Sequence, residues 1–137
     1  MWVFYALLSA VFAALTAILA KMGVSAVNSN LATAIRTVVI LVVAWGIVLF
    51  KGEAKSLYDI PKTSLYFLIF SGITTGLSWL FYFKALQLGK VSQVAPVDKL
   101  SVALTILLSV VFLKEVLTLK TAIGALLIII GTLVLIL

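Results

Sequence analysis

The 137-residue chain contains no cysteine and no histidine. That removes disulfides, thiol chemistry and the two commonest zinc ligands. Without thiols, nothing in the sequence reports on redox compartment. Acidic residues number only four, Glu53, Asp59, Asp98 and Glu115, and only Asp98 lies next to a long apolar run. No metal-ligand set and no nucleophile with a base is visible, so the sequence predicts no enzyme, no cofactor and no metal site. Charge of either sign is scarce: 10% of residues are charged, against about 25% in a soluble domain. What fills the space is apolar. Hydrophobic residues make up 65% of the chain, in runs too long for a globular core. The expected solvent is a lipid bilayer, and the expected location is the cell (inner) membrane, crossed several times.

The formal charge of +6 raises the question of nucleic acid. The basic residues form neither a patch nor a tail, so the electrostatic footprint of a nucleic-acid protein is missing. They sit at the ends of apolar segments instead, where membrane proteins keep positive charge. The opening MWVFYALLSAVFAALTAILAK has no basic n-region and is read as a retained span rather than a signal peptide.

Five spans are predicted, at residues 3–22, 30–50, 64–86, 92–113 and 119–137. The first is anchored by Trp2, Phe4 and Tyr5, and the turn after it offers Asn28 and Asn30 as helix-stop and N-cap. In the second, the uncharged part begins only after Arg36, which places Arg36 about two turns inside one end. A polar loop, Lys51 to Ser64, follows, with part of it expected on the membrane surface. The third span carries Gly72 and Gly76 in GxxxG spacing, which exposes a face for helix packing. It ends in the aromatic patch Trp79, Phe81, Tyr82 and Phe83, then Lys84. The stretch APVDKLSVALTILLSVVFLKE contains the fourth span, and Thr118 can cap the fifth. The architecture expected is an all-α membrane protein, a compact five-helix bundle forming one domain over 1–137.

The fourth span poses the central problem. Its uncharged run, Leu100 to Leu113, covers about 21 Å, short of a hydrocarbon core of about 30 Å. The helix must therefore begin earlier and take Asp98 and Lys99 into or against the membrane, where ionisable residues by default mark function. A second reading makes Pro96 the first helical residue, with Asp98 in the first turn favouring the helix dipole and Lys99 and Arg36 snorkelling outward. Threading five spans puts Lys51, Lys55, Lys62, Lys114 and Lys120 on one side, and Lys21, Lys84 and Lys90 on the other. That weak bias favours a cytoplasmic N-terminus and suits a chain able to insert both ways. Arg36, Asp98 and Lys99 fall at similar depth, about 10 Å from the second side. A vestibule lined by these charges and rimmed by Lys21, Lys84, Trp79 and Tyr82 is expected. Taken singly, Lys84 also reads as an interface anchor and the aromatics as membrane belt.

The C-terminal half, FKALQLGKVSQVAPVDKLSVALTILLSVVFLKEVLTLKTAIGALLIIIGTLVLI, resembles the closing helices of an EamA-domain repeat of the drug/metabolite transporter superfamily. The matching elements are the aromatic run into Lys84-Ala85-Leu86, the Pro96-x-Asp98-Lys99 start, the Leu113-Lys114-Glu115 corner and the Gly124 to Gly131 helix. The N-terminal half agrees through its small-residue first helix and Ala34-Ile35-Arg36. The resemblance implies a carrier of small metabolites, often an exporter. Larger members are similar to two such units fused in inverted orientation, so a single unit implies an antiparallel homodimer, with dual topology as an option. Gly124 and Gly131 share a helix face and resemble the dimer-forming last helix of small multidrug resistance proteins. Those relatives carry an acidic residue in their first helix. None stands in the first span here, which counts against lipophilic cations.

The function expected is a secondary transporter, an exporter of anionic or zwitterionic small molecules such as amino acids, with Arg36, Asp98 and Lys99 in the path and Lys84, Trp79 and Tyr82 at its mouth. Asp98 is the one candidate for proton coupling, since burial raises a carboxyl pKa. The alternative is a membrane subunit that stabilises or regulates a larger complex without transporting.

Overall fold

A computed structural model describes all residues, Met1–Leu137. It is helical throughout: α1 (Trp2–Val24), α2 (Ser29–Phe50), a short 3-10 stretch (Glu53–Asp59), α3 (Lys62–Leu88), α4 (Val91–Asp98), α5 (Leu100–Phe112) and α6 (Leu119–Ile136). Counting α4 and α5 as one interrupted span, five helices are long and apolar enough to cross a membrane. Their ends fall close to the predicted ones because charge and turn residues leave few alternatives. Asn28 caps α2, its side-chain oxygen accepting the Asn30 N–H at 2.9 Å, and Thr118 caps α6, accepting the Thr121 N–H at 3.2 Å. Gly52, at φ 70°, takes the left-handed position that lets the chain leave α2.

The chain packs as two units, one of Leu19–Gln87 and one of Met1–Ile18 with Leu88–Leu137. In the first, Val24, Phe83 and Leu86 are buried. Beside them are the buried polar residues Ser29 and Thr33, the Thr33 hydroxyl donating to the Ser29 carbonyl at 2.9 Å. This answers a hydroxyl's need for a partner within its own helix. In the second unit α6 packs against both α4 and α5. Small residues Ala103, Ala122 and Ala125, with Ile106, Val110 and Ile129, leave an apolar groove of about 280 Å³ along the α5–α6 seam. The large apolar side chains otherwise face outward on nearly every turn, as expected where lipid replaces water around the protein.

The fourth span departs from one of the two sequence readings. Pro96 is not the first helical residue: α4 starts at Val91, with Lys90 as its extended N-cap, and Pro96 lies inside the helix. Proline has no N–H to return to the carbonyl four residues back and crowds it, here that of Ser92. The helix is interrupted three residues later. Lys99 closes α4, its N–H donating to Ala95 and Pro96 carbonyls at 3.3 and 3.0 Å, before α5 resumes at Leu100. At the far end Lys114 adopts φ 55°, uncommon without glycine, and the Glu115 N–H reaches back to the Ser109 carbonyl at 3.3 Å.

Candidate functional site

Within the Leu19–Gln87 unit, α2 and α3 bring together residues far apart in sequence. Arg36 lies in the second turn of α2. Trp79 and Phe83 stand one turn apart on α3, so they share a face. The Arg36 guanidinium carbon sits 3.7 Å from the Trp79 ring centroid and 5.3 Å from that of Phe83. Phe83 is buried, which fixes its ring, and it meets Tyr82 edge to face with centroids 6.5 Å apart. A guanidinium over an indole face gains about 0.5–2 kcal/mol, more as water is excluded. No carboxylate of this chain pairs with Arg36: the only ion pair is Lys99 with Asp98. No buried side-chain nitrogen or oxygen is left without a partner, so the guanidinium edge is open rather than sealed.

Lys21 and Lys84, expected at the rim, each have a hydrogen-bond partner near a helix end. Lys21, in the last turn of α1, donates to the Leu86 carbonyl at 2.6 Å. Carbonyls in a helix's last turn lack intrahelical partners and carry the negative end of the dipole, so the ammonium caps α3. Gln87 returns the favour, its amide nitrogen reaching the Val24 and Val27 carbonyls at 3.5 and 3.2 Å at the end of α1. Lys84 donates to the Gln87 side-chain oxygen at 3.4 Å. Gln87 was not among the residues singled out from sequence. The signal for it was a lone amide in the last turn of a membrane span, which must find an acceptor there.

In the second unit, Asp98 and Lys99 form an adjacent ion pair, 3.4 Å apart, with side chains 37% and 57% exposed. They sit at the interruption between α4 and α5. The buried Thr132 of α6 meets that interruption: its hydroxyl lies 2.8 Å from the Ile128 carbonyl and 3.3 Å from that of Pro96. Gly72, Gly76, Gly124 and Gly131 have no atom within 4 Å of where a Cβ would stand. No helix of this chain uses those small faces for close approach. Nor does the chain hold any cluster of three or more carboxylates that a metal could join.

Apolar helices with a guanidinium held on aromatic rings inside a span, and a charged pair at a broken helix, are features of membrane carriers. The sequence profile of the EamA-like transporter family matches residues 1–137, and the chain belongs to that family. Members of that family are transporters rather than enzymes. A Sinorhizobium protein described as an uncharacterized transporter in the cobO 3′ region is 50% identical over 134 residues, 98% of this chain and 95% of that protein. An uncharacterized protein of Methanocaldococcus jannaschii is 38% identical over 81 residues, 59% of each. No solved structure matches the chain.

Proposed function

We propose that this membrane transporter exports small anionic or zwitterionic metabolites, such as amino acids, by alternating access within an antiparallel homodimer of the cell (inner) membrane. Arg36, Trp79 and Tyr82 contact substrate, Lys84 stands at the entrance, and Asp98 with Lys99 forms the second charged element, able to open as substrate arrives. The observation that carries this reading is Arg36: a guanidinium inside a span, 3.7 Å from Trp79, with no carboxylate of its own chain to neutralise it. Such a group is expensive in a membrane unless it has work to do. The interruption at Asp98 and Lys99 supports the same reading, since transporter sites are commonly built at broken helices.

The dimer rests on two supports. The Sinorhizobium and Methanocaldococcus relatives match in nearly equal shares of both chains, so both are of about this length and carry one unit, not two. The glycine faces are open within the chain and suit a second copy of it. The test is radiolabelled amino-acid flux in proteoliposomes holding the purified chain alone. Flux that falls to background in Arg36→Gln and partly survives in Arg36→Lys is expected. Full flux in Arg36→Gln and Asp98→Asn would remove these residues from the path. No flux from wild type across the amino-acid set would point to the subunit alternative.

A further inference from the structure

We infer that the Arg36 site selects a single carboxylate carried on an apolar, preferably aromatic, body, and discriminates against dicarboxylates and phosphates. The inference rests on reading Arg36 as a substrate group and narrows its class. Four observations within the Leu19–Gln87 unit carry it.

One face of the guanidinium is occupied by Trp79. What remains is the planar edge, whose parallel N–H donors match the two oxygens of one carboxylate. Neither neighbouring ammonium is directed at the guanidinium. Lys21 is held at the end of α3 by the Leu86 carbonyl, and Lys84 turns to Gln87. A doubly charged ligand would thus bring its second charge into the span without a direct ion pair. The walls beside the guanidinium are the rings of Trp79 and Phe83, with Tyr82 edge to face on Phe83; they reward apolar and aromatic surface and offer little to a sugar phosphate. Finally, this unit's carboxylates, Glu53 and Asp59, lie in the 3-10 stretch outside the spans. The unit does not itself demand an ammonium on the ligand. Amino acids with apolar side chains fit as one subset.

Binding is measured apart from transport. In a Trp2→Phe, Trp45→Phe background, Trp79 is the only tryptophan, and its emission reports occupancy in detergent or nanodiscs. Phenylacetate is expected to shift that emission saturably. Phenylacetamide, succinate and inorganic phosphate are each expected to bind about tenfold or more weakly, the loss of one charge-assisted bidentate contact or the burial of an extra charge. Arg36→Gln removes the phenylacetate response. Arg36→Lys, which keeps the charge and guards against misfolding as the explanation, weakens it because a point charge cannot grip both oxygens. Equal binding of phenylacetamide, tighter binding of succinate or phosphate, or an unchanged response in Arg36→Gln would each overturn the inference. The transport reading fails separately: phenylacetate that binds Trp79 but never crosses in proteoliposomes, with no other flux, leaves the site intact and removes the carrier. Amino-acid flux without any phenylacetate response does the reverse.

Discussion

Two basic residues of this chain make opposite use of the same charge. Lys21 and Arg36 both lie near one end of a span, yet Lys21 is spent on a carbonyl of α3 whereas Arg36 rests on an indole with its edge open. Lys21→Met should therefore damage stability, by about 1–2 kcal/mol for a charged hydrogen bond and a helix-end interaction, while flux per folded molecule stays near wild type. Thermal unfolding in detergent reads the first, proteoliposome uptake the second. Arg36→Gln should show the converse pattern: flux lost, with little change in melting because the lost cation–π attraction is offset by relief of a charge held inside a span. Trp79→Leu should fall between them, weakening substrate affinity and removing about 1–2 kcal/mol of cation–π attraction. From sequence both cations were expected around one vestibule. Their divergence depends on helix rotation and on which carbonyls lack partners, and neither is written in a residue's identity or its depth.

At the scale of elements, the spans themselves were legible. Uncharged runs, Asn28, Thr118 and the Lys51 to Ser64 loop leave little room to move a helix end, because a polar group in lipid must be paired or excluded. The fourth span was less so. A proline near the start of an apolar run is most simply a first helical residue, yet the turn Val91 to Ala95 lies upstream of it. The break at Lys99 follows from geometry that the sequence does not state. Thr132 is the residue that registers it. Its one proton has two carbonyls in reach, Ile128 and Pro96, so the contact to Pro96 can form or lapse without leaving the hydroxyl unpaired. Thr132→Val keeps the shape and removes that option, and should lower the stability of the second unit by about 1 kcal/mol, seen as a lower melting midpoint. Pro96→Ala should act in the other direction, restoring a donor to the helix and raising the midpoint. A lower midpoint in Pro96→Ala would mean that the interruption has another cause.

For the whole molecule, the question is what covers the faces the chain leaves open. Gly72, Gly76, Gly124 and Gly131 were expected to pack either helices of the chain or a dimer. Inside the chain they do not, since each would accept a Cβ without contact. If the α6 face meets a second copy, Gly131→Leu should convert a dimer into a monomer by light scattering in detergent, with the monomer's helical content unchanged. A dimer that survives the substitution would place the interface elsewhere. The absence of native cysteine makes orientation directly measurable. Ser25→Cys and Ser56→Cys report the two sides of the first and second loops, and in an antiparallel pair an impermeant maleimide added outside intact cells should label a substantial fraction of both. Labelling of one alone would fix a single orientation and exclude the inverted pair.

The brevity of α5 bears on how the chain enters the bilayer during synthesis. Its 13 residues reach about 20 Å, two thirds of the hydrocarbon core, and the residues that would lengthen it include Asp98 and Lys99, each unfavourable by about 2.5–3.5 kcal/mol if placed at mid-membrane. Delivered alone to the insertion machinery, this span is a marginal candidate for release into lipid. The α6 helix supplies both an uninterrupted apolar stretch after Lys120 and a hydroxyl for the Pro96 carbonyl. The two therefore have reason to partition together as a hairpin. Retention of the charged break in the membrane is then decided only when α6 has been made.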